Sequence, residues 1–145
     1  ADPAGHVAAA VSALRAMGVP AGLHFETCPT SSLATGAWTG EQPWAHHPTS
    51  ILHRLRRAAI DLSDATAAAA IPSVSISSDD PAVFSVSLAD ELQLALSSRG
   101  MALGPSAVKD CANRALDAAF IADDARAALR QRLDMAYAAW ERAPI

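Results

Sequence analysis

Cysteine, aromatic residues and basic residues are all scarce in this chain, and each shortage excludes a class of protein. Two cysteines among 145 residues cannot build a disulfide framework. We expect Cys28, in a predicted strand, and Cys111, in a predicted helix, to be buried and unreactive, which mildly favours a reducing compartment. Lys and Arg number 11 against 15 Asp and Glu, and the net charge is −4. The chain therefore lacks the basic surface that nucleic-acid phosphates require.

Long apolar runs are missing as well. No 18 consecutive apolar residues occur, so no transmembrane helix is predicted, and the chain shows no signal peptide. Its densest basic cluster, residues 53–57, is interpreted as the solvated face of a short helix. With 51% hydrophobic and 18% charged residues, the composition is typical of a soluble α/β protein. We expect a cytoplasmic location, with secretion left open.

Local signals predict two strands separated and followed by helices. The strands are expected at 23–27 and 74–77, where β-forming residues cluster. Ser, Thr, Gly and Pro residues between 29 and 48 predict a long loop over a site or interface. Helices are predicted from capping and proline signals over 3–17, 49–60, 81–84, 87–98, 105–118 and 123–140, the last with Asp123 as N-cap. Apolar stripes on two of these helices are predicted to be core: Leu88, Leu92 and Leu96, and Leu129, Leu133, Tyr137 and Trp140.

The most informative short segment is ISSDDPAVF, residues 76–84, in which a predicted strand gives way to two adjacent carboxylates and a proline. Asp79 and Asp80 thus follow the carboxyl end of a strand, where parallel α/β proteins place their active sites. A metal enzyme would place a ligand at this point. Alternatively, Asp80 directly before Pro81 caps a helix by accepting its unpaired backbone N–H groups. This segment alone leaves both interpretations open.

A second segment, residues 23–38, reads LHFETCPTSSLATGAW, and together with ISSDDPAVF it resembles the adenosine deaminase family in residue type, order and spacing. Members of that family have a strand ending in Glu-x-Cys-Pro, followed by Ser-Ser-x-x-Thr-Gly-Ala-Trp. The matching residues here are Glu26, Cys28, Pro29, Ser31, Ser32, Thr35, Gly36, Ala37 and Trp38. The resemblance continues through 88–100, Asn113, Phe120 and the final helix, so it covers nearly the whole chain.

The resemblance implies an α/β fold: the C-terminal part of a (β/α)8 TIM barrel of the metal-dependent hydrolase type, helix-rich at its C-terminus. A complete barrel needs about 250 residues. The chain therefore corresponds to the part of such a barrel that contains roughly its last three strands. We expect residues 1–145 to be one domain, completed by segments of the same gene product or by a companion chain. The alternative is a truncated descendant that covers its strand edges in another way. Residues 61–72 look like a surface insertion relative to the family.

The resemblance also implies a chemistry. Family members hydrolyse adenosine to inosine and ammonia with one Zn²⁺ ion, which suits the task because zinc-bound water has a pKa of about 7. By motif position, Asp79 would ligate zinc and hold the attacking hydroxide, and Asp80 would hydrogen-bond N7 of the purine. The segment 35–38 resembles members that use nucleosides, whereas users of adenine usually have an asparagine-containing segment there. Acceptance of 2′-deoxyadenosine is left open.

Two motifs of the family are absent from the sequence: the His-x-His pair and the His-Ala-Gly-Glu segment, which supply the other zinc ligands and a proton-shuttling glutamate. Catalytic zinc usually needs three protein ligands, so we expect the 145 residues alone to bind it weakly and to be inactive. His6 resembles the strand-end histidine that positions the hydroxide, with agreement at Ala1, Asp2, Gly5 and His6. Asp2-Pro3 reads equally well as a helix start with His6 in its first turns, and both interpretations stay open.

Two functions of different classes follow. The first is a zinc-dependent adenosine deaminase represented by its C-terminal portion, with a purine nucleoside as substrate and the rest of the barrel as partner. The second is a non-catalytic, degenerate fragment that acts as a binding or interaction module. The paired carboxylates favour the enzyme. Acids are costly to bury beside an apolar pocket wall, so a protein without a catalytic role would have little physical reason to keep two of them there. Neither nucleic acid nor a membrane is an expected partner, and the other four histidines are assigned structural positions in the strand, loop and helix surface.

Overall fold

The computed structural model describes residues 2–39, 43–97 and 99–142, and this part of the chain contains two strands and nine helices. Strands β1 (His24–Thr27) and β2 (Ser73–Ile76) are parallel neighbours, with His24 opposite Ser73 and Thr27 opposite Ile76. Both predicted strands are confirmed to within a residue. The helices are α1 (Pro3–Ala16), α2 (Pro29–Ala34), α3 (Pro43–His46), α4 (Pro48–Asp61), α5 (Ala65–Ala70), α6 (Pro81–Phe84), α7 (Leu88–Leu96), α8 (Pro105–Ala118) and α9 (Asp123–Glu141).

Most of these helices begin where the sequence provides a proline or a capping side chain. Proline occupies the first turn of α1, α2, α4, α6 and α8, where its fixed φ fits and its missing N–H is not needed. Helix α7 starts with a reciprocal capping box between Ser87 and Asp90. Helix α1 ends before Gly18, whose φ of +70° is the left-handed conformation that closes many helices. These local signals account for the confirmed helix predictions.

The region predicted as a long loop, 29–48, instead contains α2 and α3. Helix α2 starts directly after β1, and the hydroxyls of Ser32 and Thr35 donate to backbone carbonyls one turn earlier. Serine and threonine usually favour loops because they compete for backbone partners, but here their hydroxyls satisfy helix carbonyls. The part of this prediction that covers 40–42 lies outside the described residues.

Two hydrophobic clusters form the core. Helices α4 and α8 pack against β2, and the first cluster consists of Val74, Ile76, Ala95, Met101, Leu103, Ala107, Val108 and Cys111. The second cluster joins α1, α4 and α5 and consists of Val7, Val11, Ala59, Ala67, Ala68 and Ile71. The expectation that 61–72 is a surface segment is confirmed only for 61–66, which are exposed, because Ile71 is fully buried and α5 packs on α1 and α4.

The apolar stripes of α7 and α9 are only partly core. Leu92, Leu96 and Tyr137 pack against the first cluster, but Leu88, Leu129 and Trp140 are 48%, 39% and 46% exposed. Several of these side chains line an apolar groove of about 500 Å³ between α7, α8 and α9. Two helix boundaries also differ from prediction. The N-cap of α9 is Ala122 and not Asp123, and α7 ends at Leu96, while the predicted end at Ser98 lies outside the described residues.

None of the helices in the described ranges combines the length and the apolar character that a membrane span needs.

Candidate active site

The two acidic residues lie where the carboxyl ends of the parallel strands meet. Strand β2 ends at Ile76, opposite Thr27 of β1, and the Ser77 backbone N–H still donates to the Thr27 carbonyl at 2.8 Å. The chain then turns through Ser78 to Asp79 and Asp80, both of which are exposed. Parallel pairing thus brings the segment after β1 and the acids after β2 to one edge of the sheet.

Asp79 is held by a residue of α2. The Ser31 hydroxyl, on a side chain that is 7% exposed, donates to Asp79 Oδ2 at 2.6 Å. Asp79 has a φ of +58°, in the left-handed region that aspartate tolerates better than most residues. Such a backbone persists where surrounding contacts determine it, and it clusters at functional sites. The bond from Ser31 fixes the direction of this carboxylate.

Asp80 caps helix α6. Its Oδ1 accepts from the backbone N–H groups of Ala82 at 3.0 Å and Val83 at 3.3 Å. The structure therefore shows the capping role that the sequence left as one of two interpretations. Contact between Asp80 and a purine stays a prediction, and the two roles can coexist because both capping bonds end on the same oxygen.

A buried polar network at the start of α4 is hydrogen-bonded to both strands near their carboxyl ends. His47, 2% exposed, caps α4 by accepting from the Thr49 backbone N–H. The Thr49 hydroxyl donates to the Thr27 hydroxyl at 2.7 Å, which donates to the Ser75 carbonyl at 2.7 Å. Burial lowers the pKa of His47, so its ring favours the neutral form that can accept this bond. Sequence reasoning had placed His47 in a loop, although the order His-Pro-Thr resembles other helix starts in this chain.

The same environment keeps the nearby thiol protonated. Cys28 is half-buried at the start of α2, and its pKa is raised, first by burial and next by the negative charge of Asp79. Cys111 is 2% exposed in the first core cluster, and burial raises its pKa to about 11. Both thiols are free of disulfides. Since the thiolate is the reactive form, neither residue is suited to be a nucleophile here.

One residue of this region was missed by sequence reasoning. Glu91, in the first turns of α7, is fully buried, and its carboxyl oxygens accept from the Thr30 backbone N–H at 3.0 and 3.4 Å. Glu91 and its neighbour Asp90 are both acidic residues near the start of the predicted helix, but Asp90 is an exposed capping residue. A charged residue beside Leu88 and Leu92, on the apolar side of a predicted helix, was the only available signal.

His6 is not brought to this site as a strand-end residue. It lies in the first turn of α1, where it is exposed, and α1 packs on α4 and α5. The interpretation of His6 as following a strand is therefore corrected, because Pro3 starts a helix there. Ala1, which contributed to that resemblance, lies outside the described residues. A catalytic role for His6 stays a prediction.

The residues that the structure describes do not form a complete metal site. Within the described ranges, no three side chains of His, Cys, Asp or Glu lie close enough together to hold a metal ion. Asp79 offers a fixed, exposed carboxylate, which is one oxygen ligand of the kind that Zn²⁺ accepts, but catalytic zinc usually needs three protein ligands. The described residues by themselves therefore do not supply a complete site for catalytic zinc.

Parallel strands with acids at their shared carboxyl edge define the class: an α/β protein of the kind that builds active sites at strand ends. The comparison with known families is more specific. The family model described as adenosine deaminase matches residues 5–136. The chain belongs to the adenosine deaminase family, and the resemblance inferred from residues 23–38 and 76–84 is confirmed.

Two curated relatives carry the name adenine deaminase, one from Rhizobium leguminosarum bv. trifolii (strain WSM2304) and one from Rhizobium johnstonii (strain DSM 114642 / LMG 32736 / 3841). Each is 34% identical over 112 residues, which is 77% of this chain and 29% of the relative. The chain thus spans less than a third of the length of these relatives. No solved structure matches the chain significantly.

Proposed function

We propose that this chain is the C-terminal part of a (β/α)8-barrel enzyme that hydrolyses the 6-amino group of a purine. In that reaction the oxygen of water bonds to C6, the exocyclic C–N bond breaks, and ammonia leaves a 6-oxopurine. The observation that carries the proposal is the placement of Asp79. It is fixed by Ser31 at the carboxyl edge of two parallel strands, in a chain that belongs to a deaminase family.

The proposed metal is Zn²⁺, with Asp79 as the one ligand that this chain supplies. Since no group of three ligands occurs among the residues that the structure describes, the remaining ligands are proposed to come from the rest of the barrel, on the same gene product or on a companion chain. We propose that such a protein acts in the cytoplasm.

Adenosine is our first candidate substrate, as proposed from the Thr-Gly-Ala-Trp segment, residues 35–38. Thr35, Gly36 and Ala37 directly follow α2 and are exposed, so they lie within a few residues of Ser31 and are free to contact a ligand. Adenine is the second candidate, because both relatives named above are called adenine deaminases. The two differ only in the ribose, so both substrates leave the proposed role of Asp79 unchanged.

A non-catalytic interaction module is the alternative in a different class. The hydrogen bond from Ser31 to Asp79 is evidence against this alternative. A protein without a reaction to perform has little physical reason to fix an exposed carboxylate with the hydroxyl of a buried serine 48 positions away.

The decisive variant is Asp79→Ala in the complete polypeptide that carries this chain. We expect wild-type protein to release ammonia from adenosine or adenine, and Asp79→Ala to lose at least about a thousandfold in kcat, together with its bound zinc, because one of few ligands is gone. Ammonia release and elemental analysis measure the two effects.

A matched control is Asp61→Ala, since Asp61 is an exposed aspartate at the end of α4 whose side chain, among the residues that the structure describes, pairs only with Arg57 across one helical turn. It should keep wild-type zinc content and activity. An Asp79→Ala protein that is active without zinc refutes the proposal. Wild-type protein that releases no ammonia from either substrate favours the interaction module.

A further inference from the structure

Glu91 is a buried acid that the proposed reaction does not use. It is fully buried on α7, a helix whose start is fixed by the Ser87–Asp90 capping box. Burial of a polar group costs free energy unless the group is hydrogen-bonded. Among the ion pairs found in the described residues, none involves Glu91. Its partner is instead a backbone N–H group 61 positions away, that of Thr30.

That N–H group belongs to the first turn of α2, which has no local cap. The N-cap position of α2 is Cys28, whose side chain makes no capping bond. N–H groups in the first turn of a helix have no partner within the helix and need an acceptor. Glu91 provides that acceptor from a different element, so α7 is bonded to the first turn of α2.

Ser31, the next residue of α2, is the one that holds Asp79. The path from Glu91 to Asp79 therefore consists of two hydrogen bonds and one residue step: Glu91 to the Thr30 N–H at 3.0 Å, then the Ser31 hydroxyl to Asp79 Oδ2 at 2.6 Å. A shift of α2 by more than about half an ångström would lengthen the second bond, now 2.6 Å, beyond the usual O–H···O range of about 2.5–3.0 Å.

We infer that Glu91 is a positioning residue for Asp79. By accepting from Thr30, it sets the position of α2, and through Ser31 it sets the direction of the Asp79 carboxylate. The inference rests on the proposed function for its effect on catalysis. The hydrogen bond by which Glu91 holds the first turn of α2 is a separate property of the fold that can be measured without catalysis.

The test is a pair of variants of equal length in the complete protein, Glu91→Gln and Glu91→Met. Glutamine keeps a carbonyl that can accept from Thr30, whereas methionine fills the same space without an acceptor. We expect kcat of Glu91→Gln within about threefold of wild type and kcat of Glu91→Met lower by about 10- to 100-fold, the range for supporting partners of a metal ligand. Because Glu91 has no proposed contact with substrate and acts through Asp79, the loss should be larger in kcat than the change in KM.

Two further variants make the result specific. Glu91→Asp withdraws the carboxyl group by one methylene and should also lower kcat, which gives a second measurement if Glu91→Met fails to fold. Gln93→Met places a methionine at an exposed position of the same helix and should behave as wild type. Wild-type kcat in folded Glu91→Met or Glu91→Asp overturns the inference.

A double-mutant cycle separates positioning from general stability. If Glu91 acts through Ser31, then Glu91→Met should reduce kcat in the wild-type background but have almost no further effect in the Ser31→Ala background. A structural role would instead lower the melting temperature without this coupling. Additive losses of kcat in the cycle therefore also overturn the inference.

A readout without catalysis distinguishes the two proposals. Hydrogen exchange of the peptide covering α2 should be at least about tenfold faster in Glu91→Met than in Glu91→Gln, since the capping acceptor is lost. If wild-type protein releases no ammonia but exchange shows this difference, the proposed function has failed and the hold of Glu91 on α2 stands. Equal exchange in the two variants overturns the inference whatever the activity.

Discussion

Adjacent residues can have different physical roles, and Asp79 and Asp80 show this within one peptide bond. Asp79 has a left-handed backbone and accepts from a buried serine 48 positions away. Asp80 has an extended backbone and accepts from the two N–H groups that follow it. The proline after Asp80 fixes where α6 starts, so the capping bonds of Asp80 depend on local sequence. The bond from Ser31 to Asp79 depends instead on tertiary structure.

The double role proposed for Asp80 can be separated with Asp80→Ser. Serine caps helices about as well as aspartate, so the melting temperature should stay close to that of wild type. If the carboxyl also bonds the purine, kcat/KM of the complete protein should fall by about 10- to 100-fold. Thermal unfolding and ammonia release measure the two effects.

Asp80→Ala serves as the comparison, since it removes both roles and should additionally lose about 1 kcal/mol of stability. Full activity in Asp80→Ser would show that capping is the whole contribution of this carboxylate.

At the scale of elements, the segment 61–72 is the clearest case of a helix whose role depends on its neighbours. Asp64 caps α5 by accepting from the Ala67 N–H at 2.8 Å. Arg56 of α4 donates to the carbonyls of Ala68 and Ile71 at the other end of α5. Alanine is the best helix former and is small, which allows α5 to pack closely on α1 and α4.

Ile71→Ala should therefore destabilise the chain by about 2–5 kcal/mol, because Ile71 is fully buried and the substitution leaves a cavity in the second cluster. Ile60→Ala, the same substitution at a side chain that is 44% exposed, should cost about 1 kcal/mol or less. Urea unfolding gives both values. Equal effects of the two substitutions would mean that 61–72 is the surface segment first expected.

For the whole molecule, the two strands and the apolar groove between α7, α8 and α9 show what the described residues leave uncovered. A two-stranded sheet is marginal by itself and gains its stability from packing, here from α4 and α8. The groove exposes Leu88 and Leu129, which the apolar stripes of α7 and α9 predict to be core residues. Both features agree with the proposal that further barrel segments pack against this chain.

The pH dependence of stability is a property of the whole molecule, since the histidines with shifted pKa lie in different parts of it. Burial lowers the pKa of His24 in β1, His47 at the start of α4 and His53 within α4. In the unfolded chain these groups titrate near about 6.5. Below that pH the unfolded chain binds protons that the folded chain does not, so stability is full above about 6.5 and is lost as the pH falls toward the folded pKa values.

We therefore expect a lower free energy of unfolding at about pH 5.5 than at about pH 7.5, measured by urea unfolding of the chain. His47→Gln removes one of the three histidines and should reduce the difference in unfolding free energy between the two pH values. Equal stability at the two pH values would contradict this account of the buried rings.

Sequence alone determined the features that depend on local chemistry. Strand residues followed by Asp-Asp-Pro predicted a carboxylate at a strand end, and prolines predicted the starts of α1, α6 and α8. The dense match at residues 23–38 identified the family. These signals succeed because caps, proline and β-forming runs act on residues only a few positions away.

Only the tertiary structure decided which of these residues act together. The bond from Ser31 to Asp79 joins residues 48 positions apart, and that from Thr30 to Glu91 joins residues 61 positions apart. The burial of Ile71 and the network around His47 also depend on packing between elements. Such contacts are set by how the strands pair and how the helices cover them, and no local pattern encodes the distance between two residues that are remote in the chain.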